Sequence, residues 1–507
     1  MNVGPNASHR PLARAATALD LGLAVVALVP LVSVVRVFAG RMAYPMDLEW
    51  CEGGSLYMAW RLLKGLPVYV KPGDVFAPFP YPPGHTLALA LAGRLAGGLD
   101  FGPARAVSVT CFALLCATLV TAVAREFRRP IQGVCAGLAS VGLVACAFPV
   151  TGGWYDLVRV DSMMIAFSVL AAALVIAPGL GRWRMLLAAL AMTIAVYTKQ
   201  TAAFFAAWIC LFAIVRNWRE GIRLSAIALA LCGAALAVLW RSTHGQIWFW
   251  IFENLTSHPV ERMDLGKGVR LVLGFAPFAP LLPVVFVGLA WCRRASAASW
   301  MWMGMLLVAL PATLLPYAKH GGWKNDMIPV IVLIAPLTMT LLADLGRPDA
   351  ALASVVRPAG SVALAAFIWV HPVDVATYIP DATLWRAAEN LNAFVASLDG
   401  GVLSPQLAFL PARNGQTNPH WHRMGHADLV WSNHAVDEDW AVVRTQARYA
   451  LINQLDRGNF GMAVRRQYRL VGNLPDDRRV RMLTGGGVVD LDQLWERLPA
   501  PGDPPRP

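Results

Sequence analysis

The feature that most constrains this chain is a succession of apolar segments, each near the length of a membrane-spanning helix, separated by short arginine clusters. A helix needs about 20 mainly apolar residues to cross the hydrocarbon core. The first such run covers residues 17–38 and follows Arg10 and Arg14. Its apolar core exceeds the roughly 7–15 residues of a secretory signal, so it reads as an uncleaved anchor entering from the cytoplasm. Further candidates lie near 104–124, 131–149, 162–179, 184–198, 201–215, 222–240, 269–291, 299–317, 327–345 and 359–378. Composition agrees: 57% of the 507 residues are apolar and 15% charged, against about 45–50% and about 25% in soluble domains. Soluble globular and disordered classes are excluded.

One segment, Gly84 to Gly98, is too short to assign by length alone and carries His85 and Arg94. Parity decides it. If it lies flat, Arg125–Arg129, Arg182–Arg184, Arg216–Arg219, Arg293–Arg294 and Arg347 all fall on the cytoplasmic side; if it spans, all fall outside. The bias of basic residues towards cytoplasmic loops selects the first arrangement. The reading is an all-α polytopic protein with about eleven spans, a cytoplasmic N-terminus, a membrane domain over 1–379 and an outer-face C-terminal domain over 380–507. The net charge of +12 therefore reflects orientation, and no nucleic-acid partner is expected. The eight cysteines show neither a disulfide framework nor zinc-type spacing.

This topology leaves four outer-face places of interest, the loops near 40–103, 150–161, 241–268 and 318–326; in the third, Trp248, Phe249, Trp250 and Phe252 anchor at the interface or stack on a sugar or lipid chain. The first loop opens Tyr44-Pro-Met-Asp47-Leu-Glu49-Trp50, then runs into an amphipathic segment from Glu52 to Gly65 and an aromatic-proline stretch from Phe76 to Pro83. Two interfacial helices beside a pair of acids would roof a site at the membrane surface, although solvated loop acids explain Asp47 and Glu49 equally well. Asp161, after Arg159, starts a helix; it suits an N-cap but lies on the same face as Asp47. Lys199 sits in the hairpin Tyr197-Thr-Lys-Gln-Thr201 between two apolar helices. It either snorkels to the surface or awaits an anionic lipid phosphate. Finally, Lys319-His320-Gly-Gly-Trp323-Lys-Asn325 combines cations with flexible backbone, suiting phosphate or sugar contacts as well as a plain loop.

In order and placement, Asp47-Leu-Glu49, Tyr81-Pro-Pro83, Arg159-Val-Asp161 and Thr198-Lys199-Gln200 resemble the motifs of the GT-C fold glycosyltransferases. The likeness is to the broad family 39 group that includes protein mannosyltransferases and aminoarabinose transferases. It covers roughly residues 15–345. It departs in Leu48, which separates acids that are often adjacent, and in Gln200, where a glycine usually follows the lysine. The resemblance implies a transferase moving a sugar from a polyprenyl-phosphate donor to an envelope glycan, lipid or protein acceptor, with inversion. Asp47 would be the general base, with Glu49 the runner-up. Asp161 would orient the acceptor, assist the base, or share a divalent cation (Mg²⁺ or Mn²⁺) with Asp47. Lys199, Arg159, His320 and Lys319 would meet the donor phosphate, and Tyr81, Trp323 and Asn325 would line the substrate site. A transporter or flippase of a lipid-linked or anionic substrate, or a non-catalytic envelope scaffold, is the alternative. Charges in mid-helix would mark the transporter, whereas these lie at helix ends.

Residues 380–507 read as a small α/β domain, with a helix from Asp381 to Leu398, strands at Gly401–Ser404, Tyr468–Val471 and Val480–Leu483, and a disordered tail from Pro499. His420, His422, His426 and His434 are closely spaced, but without a cysteine or a His-Glu-x-x-His pattern they read as exposed loop histidines rather than metal ligands.

Overall fold

The computed structural model describes residues 9–499, apart from 73, 75, 348–349, 417–422, 435–436, 438–441, 443–445, 454–458 and 485–490. The protein is mostly helical and is a multi-pass membrane protein. Five helices among the described residues are long and apolar enough to cross a membrane: Thr17–Arg41, Phe101–Ala124, Trp218–Ser242, Ala297–Tyr317 and Lys324–Leu345. Shorter apolar helices, including Pro130–Cys146, Val160–Ile176 and Ala202–Arg216, pack among them.

Nine helices open the chain: α1 (His9–Arg41), α2 (Glu52–Leu63), α3 (Gly84–Leu95), α4 (Phe101–Ala124), α5 (Pro130–Cys146), α6 (Val160–Ile176), α7 (Arg182–Thr198), α8 (Ala202–Arg216) and α9 (Trp218–Ser242). Local chemistry sets their ends. Asp100 caps α4 by accepting from the Phe101 amide at 2.8 Å, Pro130 begins α5 where its missing N–H costs nothing, and Asn217 caps α9 through the Arg219 and Glu220 amides. α3 has 12 residues, about 18 Å at 1.5 Å per residue, too short to cross. It buries His85, Thr86, Leu89 and Ala90, while Leu87, Leu91 and Leu95 form an exposed apolar stripe. Close crossings depend on small residues, as bilayer packing favours. α1 packs on α5, where a Cβ on Gly142 would lie 2.5 Å from the Ala27 methyl.

Three expectations need correction. The apolar run 269–291 is not one span but two helices, Arg262–Phe275 and Leu281–Trp291. Pro277 disfavours helical backbone at Ala276, which sits at φ −120°, ψ 75°, and Pro280 follows. The last apolar helix runs over Ala350–Trp369, with a separate turn at Val375–Tyr378, so 359–378 is misplaced. Val480–Leu483 forms no strand; instead the Leu483 and Thr484 amides donate to the Leu48 carbonyl at 3.2 and 3.1 Å.

The tail holds the helix Ala382–Ser397, capped by Asp381 at the Leu384 amide (2.7 Å), and a four-stranded mixed sheet. Its strands are β1 (Val402–Leu403), β2 (Tyr449–Ile452), β3 (Tyr468–Asn473) and β4 (Gln493–Arg497), in the order β1-β2-β4-β3. β1 and β2 are parallel and the other pairs antiparallel. The tail helix buries Leu384, Leu391 and Val395 in the apolar core that continues from the membrane helices. Arg413 ties the tail to the first loop, donating to the Pro45 carbonyl and pairing with Asp100, both at 2.9 Å.

Gly142→Leu should disrupt the α1–α5 crossing, since overpacking costs about 1–3 kcal/mol. A lowered melting temperature in detergent is the expected result, while Gly98→Ala, which meets open space, should melt like the parent.

Candidate functional site

The loop after α1 is built around one buried ion pair. Glu52, in the first turn of α2, accepts from Arg105 Nε at 2.9 Å and Nη2 at 2.7 Å, and both side chains are fully buried. Arg105 spends its other N–H groups on the carbonyls of Arg41 (3.0 Å), Tyr44 (2.7 Å) and Met46 (2.8 Å). The Glu52 carboxylate also accepts from the backbone amides of Leu48 (2.7 Å) and Val158 (3.0 Å). One ion pair thus fixes the 41–48 turn, the start of α4 and the strand-like approach to α6. A second pair does the same for the loop before α6: Arg41 Nε donates to Asp156 at 2.8 Å and Nη2 to the Gly153 carbonyl at 2.6 Å.

On this frame stand two acids with unusual surroundings. Asp47 is 3% exposed and its Oδ1 accepts from the Gly53 amide; a Cβ at position 53 would lie 2.6 Å from that oxygen. Burial and the neighbouring Glu52 carboxylate push Asp47 well above the ordinary carboxylate range, against the Gly53 hydrogen bond. Glu49 is completely buried; the Cys51 backbone amide lies close enough to oppose its pKa shift, but among the described residues neither oxygen makes a well-formed hydrogen bond. Its neighbour is Arg159 Nε at 3.7 Å. Burial pushes Glu49 up to about 7, with Arg159 opposing and Glu52 adding.

Arg159, the extended residue before α6, lies among aromatic rings: Trp154 at 5.1 Å, Phe79 at 5.7 Å and Tyr81 at 5.8 Å. Two residues on, Asp161 accepts from Lys199 Nζ at 2.9 Å and from Asn325 Nδ2 at 3.1 Å. Lys199 also donates to Asp326 at 2.8 Å. Burial works against the charge on Lys199, and Asp161 and Asp326 outweigh it, so its pKa is raised. The hairpin carrying it is locked by Gln200, whose Nε2 donates to the carbonyls of Pro80 (2.9 Å) and Ile251 (3.0 Å), and by Gly84, where a Cβ would meet the Tyr197 carbonyl at 2.5 Å.

The structure therefore gathers Asp47, Glu49, Arg159, Asp161, Lys199, Asn325 and the Tyr81 ring into one network. The charges of Arg159, Glu52 and Asp161 act on Glu49, and that of Glu49 acts on Asp47. Trp323 enters through its backbone amide, 3.3 Å from Asp326 Oδ2. Lys319 and His320 face elsewhere: Lys319 donates to the Leu255 carbonyl, and His320 lies 3.9 Å from Glu261. Sequence reasoning passed over Glu52, Arg105, Asp326 and Asp428. Arg105 is a charge at the edge of an apolar run, the one signal available for it. Asp428, in the tail helix Arg423–Trp431, is pushed up to about 8 by burial, with Arg159 opposing.

A cation shared by Asp47 and Asp161 does not fit this arrangement. Both oxygens of Asp161 are engaged, and Lys199 brings a positive charge to the same carboxylate. Among the described residues no three His, Cys, Asp or Glu side chains form a metal-binding group. His420 and His422 lie outside the described residues; His426 is buried, and His434 Nδ1 is 2.7 Å from the Ser432 carbonyl.

The fold so described is the GT-C fold of membrane glycosyltransferases. It is similar to ArnT, an aminoarabinose transferase, from Cupriavidus metallidurans, in crystal structures bound to undecaprenyl phosphate (TM-score 0.58, 13% identity) and in the apo state (0.56, 14%). Each match covers 92% of this chain and 97% of that one. A more distant similarity is to the oligosaccharyltransferase AglB of Archaeoglobus fulgidus in complex with an inhibitory peptide and a dolichol-phosphate, with a TM-score of 0.43, 12% identity and coverage of 89% of this chain and 72% of that one. No protein-family model matches the sequence, and no curated protein matches it.

Two outcomes are expected of the buried acids. Glu52→Gln should leave the Arg105 charge uncompensated and cost about 3–5 kcal/mol, seen as a large fall in melting temperature. Glu49 differs in sign. Its folded pKa of about 7 exceeds the unfolded value, so its contribution is full below the unfolded pKa and is lost as pH rises through about 7. Glu49→Gln should therefore gain melting temperature relative to the parent at pH 8 and little at pH 4. An equal difference at both would disprove a raised pKa for this buried carboxylate.

Proposed function

We propose that this chain is an inverting glycosyltransferase that moves a sugar from a polyprenyl-phosphate donor to an acceptor hydroxyl on the outer face of the membrane. The observation that carries the reading is the Glu49 carboxylate: buried, without a well-formed hydrogen bond among the described residues, poised near 7, and 3.7 Å from an arginine beside the Asp161–Lys199 pair. The likeness in fold to ArnT, which binds undecaprenyl phosphate, supports a lipid-phosphate donor. On this reading residues 1–379 form the catalytic membrane domain, 380–507 cover it from outside, the N-terminus is cytoplasmic and about eleven segments span.

The chemistry needs a base and an anion site. The acceptor oxygen attacks the anomeric carbon, its proton passes to a carboxylate, and the bond to the phosphate oxygen breaks with its electron pair left on the lipid phosphate. A base works best with a pKa near the operating pH, which favours Glu49. Asp47, the residue the sequence motif places first, has one oxygen held by Gly53, and burial and Glu52 raise its pKa above the ordinary carboxylate range; it serves here as the residue that shapes the loop. Arg159 Nε has no hydrogen-bond partner among the described residues, and Lys199 has one N–H beyond those given to Asp161 and Asp326. Both are available to the phosphate, while Asp161 holds Lys199 in place. No metal enters the scheme, and Lys319 and His320 are left for contacts at the rim.

The lipid-linked sugar that accumulates when the protein is removed identifies the donor. With it in hand, Glu49→Gln should cut turnover by at least about 100-fold with donor binding near the parent's, and Asp47→Asn should cost less. The reverse order would make Asp47 the base. Lys199→Ala should weaken donor binding rather than turnover alone. The parent's kcat/KM should fall as pH drops below about 7, where Glu49 protonates; a profile flat from pH 5 to 8 would remove Glu49 from the reaction.

A further inference from the structure

The loop before α6 holds two consecutive glycines in left-handed backbone, Gly152 at φ 77° and Gly153 at φ 76°. The turn throws Trp154 back over Gly152. A Cβ at position 152 would lie 3.1 Å from Trp154 Nε1 and 3.7 Å from Trp323 Nε1. Two indole nitrogens from loops far apart in the chain thus converge on one point. Both are buried, and among the described residues neither has a hydrogen-bond partner. An indole N–H can only donate, and a buried donor without an acceptor is costly. The adjacent Gly152 carbonyl is engaged by the Thr484 hydroxyl.

The position is informative. The Arg159 guanidinium stacks on the Trp154 ring at 5.1 Å and lies 3.7 Å from Glu49. Three residues after Trp323, Asp326 holds Lys199. The two donors therefore adjoin both the cations and the acid of the network, without being charged themselves. Neutral donors on aromatic rings suit a ligand that offers neutral oxygens and apolar C–H faces, whereas a phosphate is served by the neighbouring cations. Trp154 is 4% exposed; Trp323 is partly buried.

We propose that Trp154 and Trp323 form a sugar subsite in which the paired indole N–H groups donate to hydroxyl oxygens of the sugar carried by the lipid phosphate. This rests on the transferase reading and adds the part of the donor that the pair selects.

The test measures equilibrium binding to the full-length protein in lipid nanodiscs. The probes are undecaprenyl phosphate and a panel of undecaprenyl-phosphoryl hexoses and pentoses. The parent is expected to bind at least one glycosylated lipid more tightly than bare undecaprenyl phosphate. Trp154→Phe and Trp323→Phe keep a ring and lose the N–H. Each should weaken binding of that glycosylated lipid by about 5-fold, the worth of one hydrogen bond, and leave affinity for bare undecaprenyl phosphate unchanged. Trp323→Phe, at the partly exposed position, and its melting temperature keep the test valid if Trp154→Phe folds poorly. Full retention of the sugar preference in Trp323→Phe would overturn the subsite, as would equal loss of both lipids, which marks a packing role. A parent that binds neither lipid would overturn the transferase reading itself, a result distinct from either.

Discussion

The ion pair between Glu52 and Arg105 is the constraint on which the site depends. Removing two charges from water is expensive, and attraction repays the cost only when the geometry is good and the remaining hydrogen-bonding positions are filled. Here they are filled from both sides. Glu52 takes two amides besides the guanidinium, and Arg105 takes three carbonyls besides the carboxylate. The result is a loop with no regular structure over residues 42–51 that is nevertheless held at every turn. Burial opposes ionisation of Glu52, and Arg105 outweighs it, keeping the pKa below the ordinary range.

The acids beside that pair are in a different position. Burial raises Asp47 and Glu49 and the Glu52 carboxylate adds to it, with Arg105 opposing at Asp47 and Arg159 at Glu49. Arg159 sits at a longer 3.7 Å from Glu49 and only partly offsets this. The four acids therefore divide by environment. Glu52 and Asp161 are held by close, hydrogen-bonded cations, while Asp47 and Glu49 have raised pKa values. Pairs of titratable groups whose surroundings push their pKa values apart are a mark of acid–base sites. The same separation leaves Arg159 with a hydrogen-bonding position to spare.

Much of this was legible in the sequence because charges stand out against apolar surroundings. Asp161, Lys199 and the Asp47–Glu49 motif were found that way; the first short helix followed from its amphipathic pattern and closing glycine, and the second from the parity of the basic clusters. Arg105 obeys the same rule but stands at the rim of a run beginning near 104, where a basic residue looks like an orientation signal. Glu52 looks like an ordinary acid at a helix N-terminus, and nothing local tells that its partner is Arg105. Long-range pairing is what a single sequence hides. The tail illustrates it again. Val480–Leu483 alternates like a strand but meets Leu48 instead of a sheet, while β2 and β4 are too short and mixed to announce themselves. In the 269–291 run, hydrophobicity outweighed two prolines that a bilayer helix tolerates only with compensating partners.

The tail's contact with Leu48 gives it a place beside the acid loop. Leu48 stands between Asp47 and Glu49, and its backbone is fully committed: its amide donates to Glu52 and its carbonyl accepts from Leu483 and Thr484. The Thr484 hydroxyl reaches on to Gly152, the turn that sets Trp154, and Arg413 holds Pro45 and Asp100. A stretch of the tail thus bridges the acid loop and the glycine turn, the two irregular segments that neither helix packing nor a sheet would fix. Helices can place Asp161 and Lys199 because both stand at helix ends. Asp47, Glu49 and Trp154 stand on loops, and loop residues are held to the precision that catalysis demands only when their backbone groups have partners. The Glu52–Arg105 pair supplies those partners from below, and the tail supplies them from the other side.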